Sequence, residues 1–437
     1  MNNDNPKLSL KTWTDSIFTR LVTSFVEESA IAFSMAKTEA LKLTLASEEI
    51  FVYLCKTGQT KETLDIEAAN GGYYVRMKFL FKARPFNPRA FNLTASIKLD
   101  DNAELEEMGL LIASRSVDRF TITEGPQQTL VLVIIKEKSY PELSDLKAIE
   151  TKALKNFVIK SSDPDRLKFF VRLLLTNYPD HLYPAAFHFP GKLIDMITSN
   201  EYGAQIALDE QGRIGGGIIW RWIGSKTVES FGPYLFHQPP DSRMANDLIN
   251  ACLGQIAKTD AIGLISRYST PEFPYRYFEP LGSIDLFQMD GTMRRSTIYY
   301  RQLHEDPGCQ VWAHSSLKEF LQAEYHRLFF GREILITRHE GEQRPLYSVF
   351  APQFDRSHRQ VTLRAIWDGA DSAKNLAQHL HVLKAENIPN IFFEIDLAHA
   401  WQANLTETLL DNAFQPRLIL PYGGEADIVL FQYQEGT

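Results

Sequence analysis

The sequence predicts an α/β protein built of α+β layers, and three patterns predict it. Stretches with apolar residues at helical spacing alternate with short runs rich in β-branched and aromatic residues. Turn chemistry separates several of those runs, at Gly71-Gly72 and at Asp209–Arg213, where Gly212 supplies the turn geometry. One succession of elements (helix, hairpin, strand, helix, strand, helix, strand) occurs in the middle of the chain and again in its last third, a structural repeat with little residue identity.

The first segment is 10–137. Phe25–Ala36 has helical spacing, with Phe25, Ile31, Phe33 and Met35 as its apolar residues. Glu39–Cys55 predicts a second helix, with Leu41, Leu43, Leu45, Ile50 and Leu54 towards the interior. Lys61–Ala68 and Tyr73–Phe81 read as strands around the glycine pair. Asn102–Val117 reads as a helix, and Arg119–Thr123 with Thr129–Ile135 as a closing hairpin around Glu124-Gly125-Pro126. That order predicts an α/β sandwich with its helices on one face of the sheet. A charged connector containing Pro141 covers 138–154.

The second segment is 155–300. Asp163–Asn177 is a helix, capped by Ser161, Ser162 or Asp163, with Pro164 in its first turn. Pro190–Asn200 is the next helix. Gln205–Leu208 and Ile214–Ile223 form a hairpin, and Lys226–Leu235 is a strand. A helix at Ser242–Lys258 leads to a strand at Ala261–Arg267; Pro271–Leu281 and Ile284–Asp290 close the unit. The third segment is 308–437, with helices at Leu317–Phe329, Ala373–Glu386 and Leu405–Asn412. Its strands are Glu333–Arg338 and Leu346–Ala351 around a polar turn, then Gln360–Ile366, Asn390–Ile395 and Asp427–Tyr433. Parallel neighbours joined by a crossover helix are expected in both segments.

Bulk properties narrow the function. The 437 residues suggest about two to four domains, with 44% hydrophobic and 23% charged residues, an ordinary globular balance. A net charge of -8 gives no general attraction to nucleic acid or an anionic membrane. No apolar run approaches the ~20 residues of a membrane span. Met1–Ser9 is polar and lacks a signal-peptide core. Cys55, Cys252 and Cys309 are far apart, without metal-ligand spacing, which favours a reducing compartment. The expected location is the cytoplasm.

In the first segment, Leu43-Thr44-Leu45-Ala46-Ser47-Glu48-Glu49, Pro85-Phe86-Asn87-Pro88 and Glu107-Met108-Gly109-Leu110-Leu111-Ile112 followed by Val117-Asp118 carry a resemblance. It is to the anti-sigma-factor kinase branch of the GHKL (HATPase) ATPases, over about 110 residues. The resemblance implies a nucleotide site with Glu49 as general base and Gly109 beside the phosphates. The departures remove ATP chemistry. Tyr53 stands where the family has a magnesium-binding asparagine, and a ring supplies no hard oxygen. Phe81 replaces the aspartate that reads the adenine amino group, and Glu107 replaces a glycine beside the phosphates. ATP use and bound metal are therefore not expected. A protein-binding module remains, since family members bind sigma factors and their antagonists; a retained scaffold is the plainer alternative.

The second segment resembles the GNAT acetyltransferases over about 130 residues. The residues that carry this are Tyr178–Pro184 with Phe187-His188-Phe189-Pro190, the hairpin from Ile206 to Gly216, and Phe278-Glu279-Pro280-Leu281-Gly282. The resemblance implies acetyl-CoA as ligand and direct acyl transfer to an amine. An amide polarises the thioester carbonyl, an acid protonates the leaving thiolate, and a glycine-rich loop at a helix N-terminus holds the pyrophosphate. Here that loop reads His237-Gln238-Pro239-Pro240-Asp241-Ser242-Arg243, with no glycine and two prolines without N–H. Ser242 and Arg243 are its candidate coenzyme contacts, although Ser242 also reads as a plain helix cap. The family's tyrosine acid aligns with Phe278, so Tyr277 is the candidate acid, weighed against core packing among Phe273, Tyr275 and Phe278. His188, His237 and Glu229 are further conceivable bases, each more readily structural.

The third segment resembles a more degenerate GNAT unit. Asn412-Ala413-Phe414 stands for Leu-Gly-Phe, and the loop Asp368-Gly369-Ala370-Asp371-Ser372-Ala373 carries two aspartates that oppose pyrophosphate. His379 and His381 diverge on a helix and make a poor metal pair. The expected function is a bacterial-type regulatory protein acting through a sigma factor or antagonist protein, an acyl-CoA, or both. The rival is a working N-acyltransferase; the third alternative, a serine kinase, is opposed by Tyr53, Phe81 and Glu107.

Overall fold

The computed structural model describes residues 6–58, 62–83, 86–96, 107–143, 147, 149–224, 226–240, 242–288, 290–338, 341 and 343–434. The chain divides into two compact units, one of Met1–Tyr140 with Gln343–Pro352 and Arg364–Val382, the other of Pro141–Glu342 with Gln353–Leu363 and Leu383–Thr437.

In the first unit the order is β1 (Lys7–Trp13), α1 (Thr19–Ala32), α2 (Lys37–Thr57), β2 (Thr63–Asn70), β3 (Tyr74–Lys82), α3 (Met108–Ser116), β4 (Arg119–Gly125) and β5 (Thr129–Glu137). The strands form an antiparallel sheet in the order β1-β2-β3-β5-β4. Every second residue of β3 and β5 is buried, so one face of the sheet carries the core. Val75, Met77, Phe79, Leu130, Leu132 and Ile134 pack there in one cluster with Val22 and Val26 of α1 and Leu43, Ile50 and Leu54 of α2. Each such side chain contributes about 1.5–3 kcal/mol by leaving water. The sandwich with helices on one face is as expected. The turn between β2 and β3 is also as expected, with Gly72 at φ 80° donating its N–H to Asn70 Oδ1 at 3.0 Å.

Some expectations fail. Leu41, Leu45 and Ile31 are exposed. On α2 the buried stripe runs through Leu43, Ser47, Ile50 and Leu54, and positions 41 and 45 lie on the opposite side of a 3.6-residue turn. α1 begins at Thr19 rather than Phe25, and β1 precedes the helices. Residues 102–106 of the third expected helix lie outside the described residues.

The second unit begins with β6 (Val158–Lys160), α4 (Pro164–Asn177), α5 (Pro190–Thr198), β7 (Tyr202–Leu208), β8 (Ile214–Trp222), β9 (Thr227–Leu235), α6 (Met244–Ile256), β10 (Gly263–Tyr268), β11 (Glu279–Phe287) and β12 (Met293–Gln302). Asp163 caps α4 by accepting the Arg166 N–H at 3.0 Å, with Pro164 at the first helical position. Gly212 turns the β7–β8 hairpin at φ 78°. The sheet order is β11-β12-β10-β9-β8-β7-β6. β9 and β10 are parallel, joined through α6 as a crossover needs, and Leu248, Ile249 and Cys252 of α6 cover Val228 and Leu264.

Next come β13 (Cys309–Ala313), α7 (Lys318–Leu328) and β14 (Arg332–Ile336), then β15 (Val349–Asp355), β16 (Gln360–Trp367) and α8 (Ser372–Ala385). The chain ends with β17 (Asn390–Asp396), α9 (Ala400–Ala403), α10 (Leu405–Asp411), β18 (Phe414–Leu420) and β19 (Ile428–Tyr433). The strand expected at Glu333–Arg338 does not turn back onto the run at 346–351. It is β14, and it pairs in parallel with β13 through α7. β10-β12-β11 and β17-β19-β18 have the same swapped order of their last two strands.

β11 is an edge strand, and edges need cover. The amide of Asn390 brackets one of its peptides, accepting from Phe287 N–H at 2.8 Å and donating to Phe287 C=O at 3.0 Å. Gln432 brackets Asp285 in the same way, and Arg417 pairs with the Asp285 carboxylate. Among the described residues no helix is long and apolar enough to cross a membrane.

Candidate functional site

In the first unit, α2 and β3 bring Tyr53 and Phe81 together around Phe86. The Phe86 ring lies 5.9 Å from Tyr53 and 5.3 Å from Phe81. Tyr53 Oη also accepts the Asn87 N–H at 3.1 Å. Pro85 lies outside the described residues. Glu107 precedes α3, whose N-terminal N–H groups would suit an anion. The Glu107 side chain makes no cap bond to those N–H groups and is held instead by Arg89 Nε at 2.6 Å and Asn87 Nδ2 at 2.7 Å. Glu49 leans on α3, and a Cβ at Gly109 would meet its Oε2 at 2.5 Å. The glycine thus serves the close approach of a carboxylate. The structure brings Glu49 and Gly109 together.

In the second unit, β9 and β10 stay in register from Thr227 to Ser230, slip by one residue where Phe231 meets Tyr268, and then part. A parted parallel pair leaves backbone edges open at the carboxyl ends of its strands. Here the chain occupies those edges itself. Pro233 has no N–H, and its carbonyl accepts from Thr270 Oγ1 at 2.7 Å. The N–H of Leu235 donates to Tyr178 Oη at 2.7 Å, and the Tyr178 hydroxyl reaches back to the Leu235 carbonyl at 3.1 Å. Tyr178 ends α4, is 8% exposed, and lies edge-on to Tyr234 at 5.0 Å. Burial, then the Glu272 carboxylate, pushes its phenol well above the ordinary value. The hydroxyl therefore stays protonated and able to donate.

A cavity of about 510 Å³ opens at this crevice, lined by Tyr178, Leu235, His237, Glu272, Tyr275 and Arg294. Tyr275 sits on the short turn Tyr275–Tyr277 and donates its hydroxyl to Thr270 C=O at 3.1 Å. Tyr277 lines a different cavity with Glu279, Tyr300 and Arg301, its ring 4.6 Å from the Arg276 guanidinium. Phe278 is core, 4.5 Å from Phe273. In the sequence Tyr178 reads only as the start of the Tyr178–Pro184 segment and Tyr275 only as core packing, and Glu272 carries no signal, so none of the three reads as a site residue. The available signals were the position of Tyr178 just past a predicted helix and of Tyr275 one turn before Phe278.

The loop after β9 does not fit a coenzyme pyrophosphate. Pro239 and Pro240 supply no N–H. His237 is bonded to Thr151, while Gln238 accepts from Leu154 N–H at 3.1 Å and donates to Phe236 C=O at 2.7 Å. Ser242 Oγ accepts the Met244 N–H at 3.3 Å one residue before the Arg243 N-cap of α6. Arg243 pairs with Asp247 at 3.3 Å, and its guanidinium lies 5.7 Å from the Phe157 ring. Ser242 and Arg243 are adjacent at the start of α6 and apart from the Tyr178 crevice lining. Asp241 lies outside the described residues.

The remaining candidates are structural in their bonding. Glu229 is fully buried between Arg221 Nη2 at 2.7 Å and Arg267 Nε at 3.0 Å. His188 packs against Tyr183, ring to ring at 5.6 Å. In the first unit His379 is buried with Nδ1 2.9 Å from Asn375 C=O, and burial lowers its pKa. Asp368 pairs with Arg344, and Asp371 accepts from Ser348 N–H at 2.6 Å. Among the described residues no three His, Cys, Asp or Glu side chains converge as a metal site.

No protein-family model matches the chain. No curated protein matches it either. Solved structures similar to part of it are GNAT acetyltransferases. A GNAT superfamily phosphinothricin acetyltransferase from Sinorhizobium meliloti, solved with AcCoA, is 16% identical over 35% of this chain and 90% of its own, at a TM-score of 0.30. The aminoglycoside 6'-N-acetyltransferase from Enterococcus faecium is 14% identical over 34% of this chain and 99% of its own, at 0.27. A GNAT family N-acetyltransferase from Escherichia coli, solved with CoA, is 14% identical over 36% and 86%, at 0.26.

Proposed function

We propose that this protein is a regulatory binding protein of the cytoplasm. On this reading 10–137 is a GHKL-like, anti-sigma-like domain without ATP chemistry, and 155–300 and 308–437 are acyltransferase-like units joined to it by 138–154. The observation that carries the reading is the Tyr178 hydroxyl bonded to both backbone groups of Leu235 in the parted β9–β10 crevice. A ligand with a thioester arm needs those groups, and an internal partner holds them at no cost in association entropy. The aromatic plug of Tyr53, Phe81 and Phe86 supports the same conclusion for ATP. The partner on this reading is a sigma factor or an antagonist protein, and three free cysteines suit a reducing compartment.

Calorimetry of the full chain with acetyl-CoA and with ATP tests it, alongside pull-down with a sigma factor and an antagonist. The expected result is no saturable heat with either nucleotide and capture of one protein. Tight acetyl-CoA binding with thiol release on an amine panel would overturn it.

One observation favours a second reading. The 510 Å³ cavity with Tyr275 and Glu272 in its wall suits acyl transfer from acetyl-CoA to an amine. That reading requires Tyr178 to leave Leu235 and a coenzyme held without a pyrophosphate cradle.

A further inference from the structure

The second unit holds another cavity, of about 520 Å³, that shares only Pro179 and His181 with the crevice cavity. Its walls are strand faces. Ile284 and Leu286 of β11, Ser296 and Ile298 of β12, Gln360 and Thr362 of β16, and Asn390 and Phe392 of β17 contribute in pairs two residues apart. Residues at that spacing share a face. The volume is that of a small-molecule site.

Its electrostatics select against ions. Arg267 is held by Glu229 at 3.0 Å and lies 3.8 Å from Glu394. Arg221 is held by Glu229 too, and His358 by Asp355 at 2.6 Å. Each of these cations has a carboxylate paired with it that offsets its charge, and the Asp180 and Asp290 carboxylates in the lining oppose an anionic ligand. A charged group entering would lose hydration without a partner.

Its hydrogen-bonding groups are the reverse. The Tyr268 hydroxyl and the side chains of Ser296, Gln360 and Thr362 line the cavity without a hydrogen-bond partner among the described residues. The Tyr268 ring is fixed between Phe231 at 5.8 Å and His358 at 6.2 Å, so its hydroxyl is pre-positioned. Three hydroxyls and an amide beside Phe392 and Ile298 match a molecule with polar groups on one side and an apolar or flat ring on the other.

We propose that this cavity binds an uncharged ring compound bearing hydroxyl or amide groups, of the chemistry shared by nucleosides and simple glycosides. The inference goes beyond the binding-protein reading and does not depend on whether the crevice accepts a coenzyme. The test is calorimetry of the full chain with three neutral probes, adenosine, uridine and a phenyl glucoside, and with adenosine and uridine monophosphates. At least one neutral probe is expected to bind saturably, and a monophosphate to bind at least tenfold more weakly than its nucleoside. Tyr268→Phe, which keeps the ring, should weaken that probe about fivefold. Thr362→Trp should abolish it by filling the space. Near-ultraviolet circular dichroism checks that both variants are folded. No binding by any neutral probe, equal binding of a monophosphate, or unchanged affinity in a folded Tyr268→Phe protein would each overturn the proposal. A glycoside response without a nucleoside response assigns the source, and the reverse does so for nucleosides.

Discussion

Tyr178→Phe removes one oxygen atom and leaves the ring in place against Tyr234. That oxygen accepts the Leu235 N–H at 2.7 Å, and its proton reaches the Leu235 carbonyl at 3.1 Å. A buried N–H left without a partner costs about 1–3 kcal/mol. Taking the lower half of that range, about 1.4 kcal/mol, the opening equilibrium at this point of β9 shifts about tenfold. Tyr178 is 8% exposed, so the ring that stays in Tyr178→Phe keeps its cover over Leu235. Hydrogen exchange reads that local opening directly. The Leu235 amide is expected to exchange about tenfold faster in Tyr178→Phe, by the same free energy. The Phe236 amide is the internal reference, since it donates to Gly215 C=O at 2.9 Å on the other side of β9. Its exchange should not change. Unchanged exchange at Leu235, or equal acceleration at both amides, would refute the account of Tyr178 as a crevice partner.

Three further outcomes follow. His358 presents Nδ1 to Asp355 at 2.6 Å and Nε2 to Asp180 C=O at 2.9 Å, and two donors require the protonated ring. Burial opposes that charge but the Asp355 bond and carboxylate outweigh it, so the His358 pKa is raised and the Asp355 pKa lowered. The His358 contribution should be full below about 6.5 and fade as pH rises through its raised folded value, while the Asp355 contribution fades only as pH falls below about 3.9. Melting temperatures of wild type and His358→Gln should therefore converge towards alkaline pH; a constant gap would contradict the pairing. Arg332 bonds Asp427 at 2.7 Å and Asp306 at 2.8 Å with its side chain wholly buried, so Arg332→Met should cost about 3–5 kcal/mol in urea unfolding. Adding Asp427→Leu should recover part of that loss, and a single-variant cost below about 1 kcal/mol would show the pairs to be dispensable. Tyr53→Phe loses the Asn87 N–H partner and should lower the melting temperature by about 3 °C without conferring ATP binding; a gain in ATP-induced stabilisation would contradict the plugged site.

Much of the fold was legible because the core residues repeat at the right period. The helix ending at Asn177 announced itself with Asp163 and Pro164, and the hairpin at Gly212 with its turn residue. What went unread had a physical reason. β12 carries Arg294, Arg295 and Arg301, so charges on both of its faces break the alternation, with Arg294 and Arg301 half-buried and Arg295 exposed. β18 carries Pro416, which reads as a breaker, yet it lies at a sheet edge with a register shift just after that proline. The site was harder. Composition and motif spacing marked the loop at His237–Arg243, but the residues that close the crevice come from the end of α4 and the turn after β10. Only the sheet order brings Tyr178, Thr270 and Tyr275 to one place, and no spacing in the chain encodes that.

A crevice closed by hydrogen bonds differs from one that has merely lost a residue. A lost contact weakens a ligand by the value of that contact. An internal competitor weakens it further, because the Tyr178 hydroxyl bears none of the translational cost that any incoming amide must meet, about 4 kcal/mol or more. To displace it, a thioester arm must match both bonds to Leu235 and still recover that cost from a loop whose prolines offer no N–H. At 1.4 kcal/mol per decade, a 4 kcal/mol deficit alone is about a thousandfold in affinity. The neutral cavity presents the opposite balance. Among the described residues Tyr268, Ser296, Gln360 and Thr362 have no protein competitor for their hydrogen bonds, so a ligand there gains each bond at the expense of water. If the molecule responds to a small compound, the physics of who already holds the polar groups favours that cavity over the crevice.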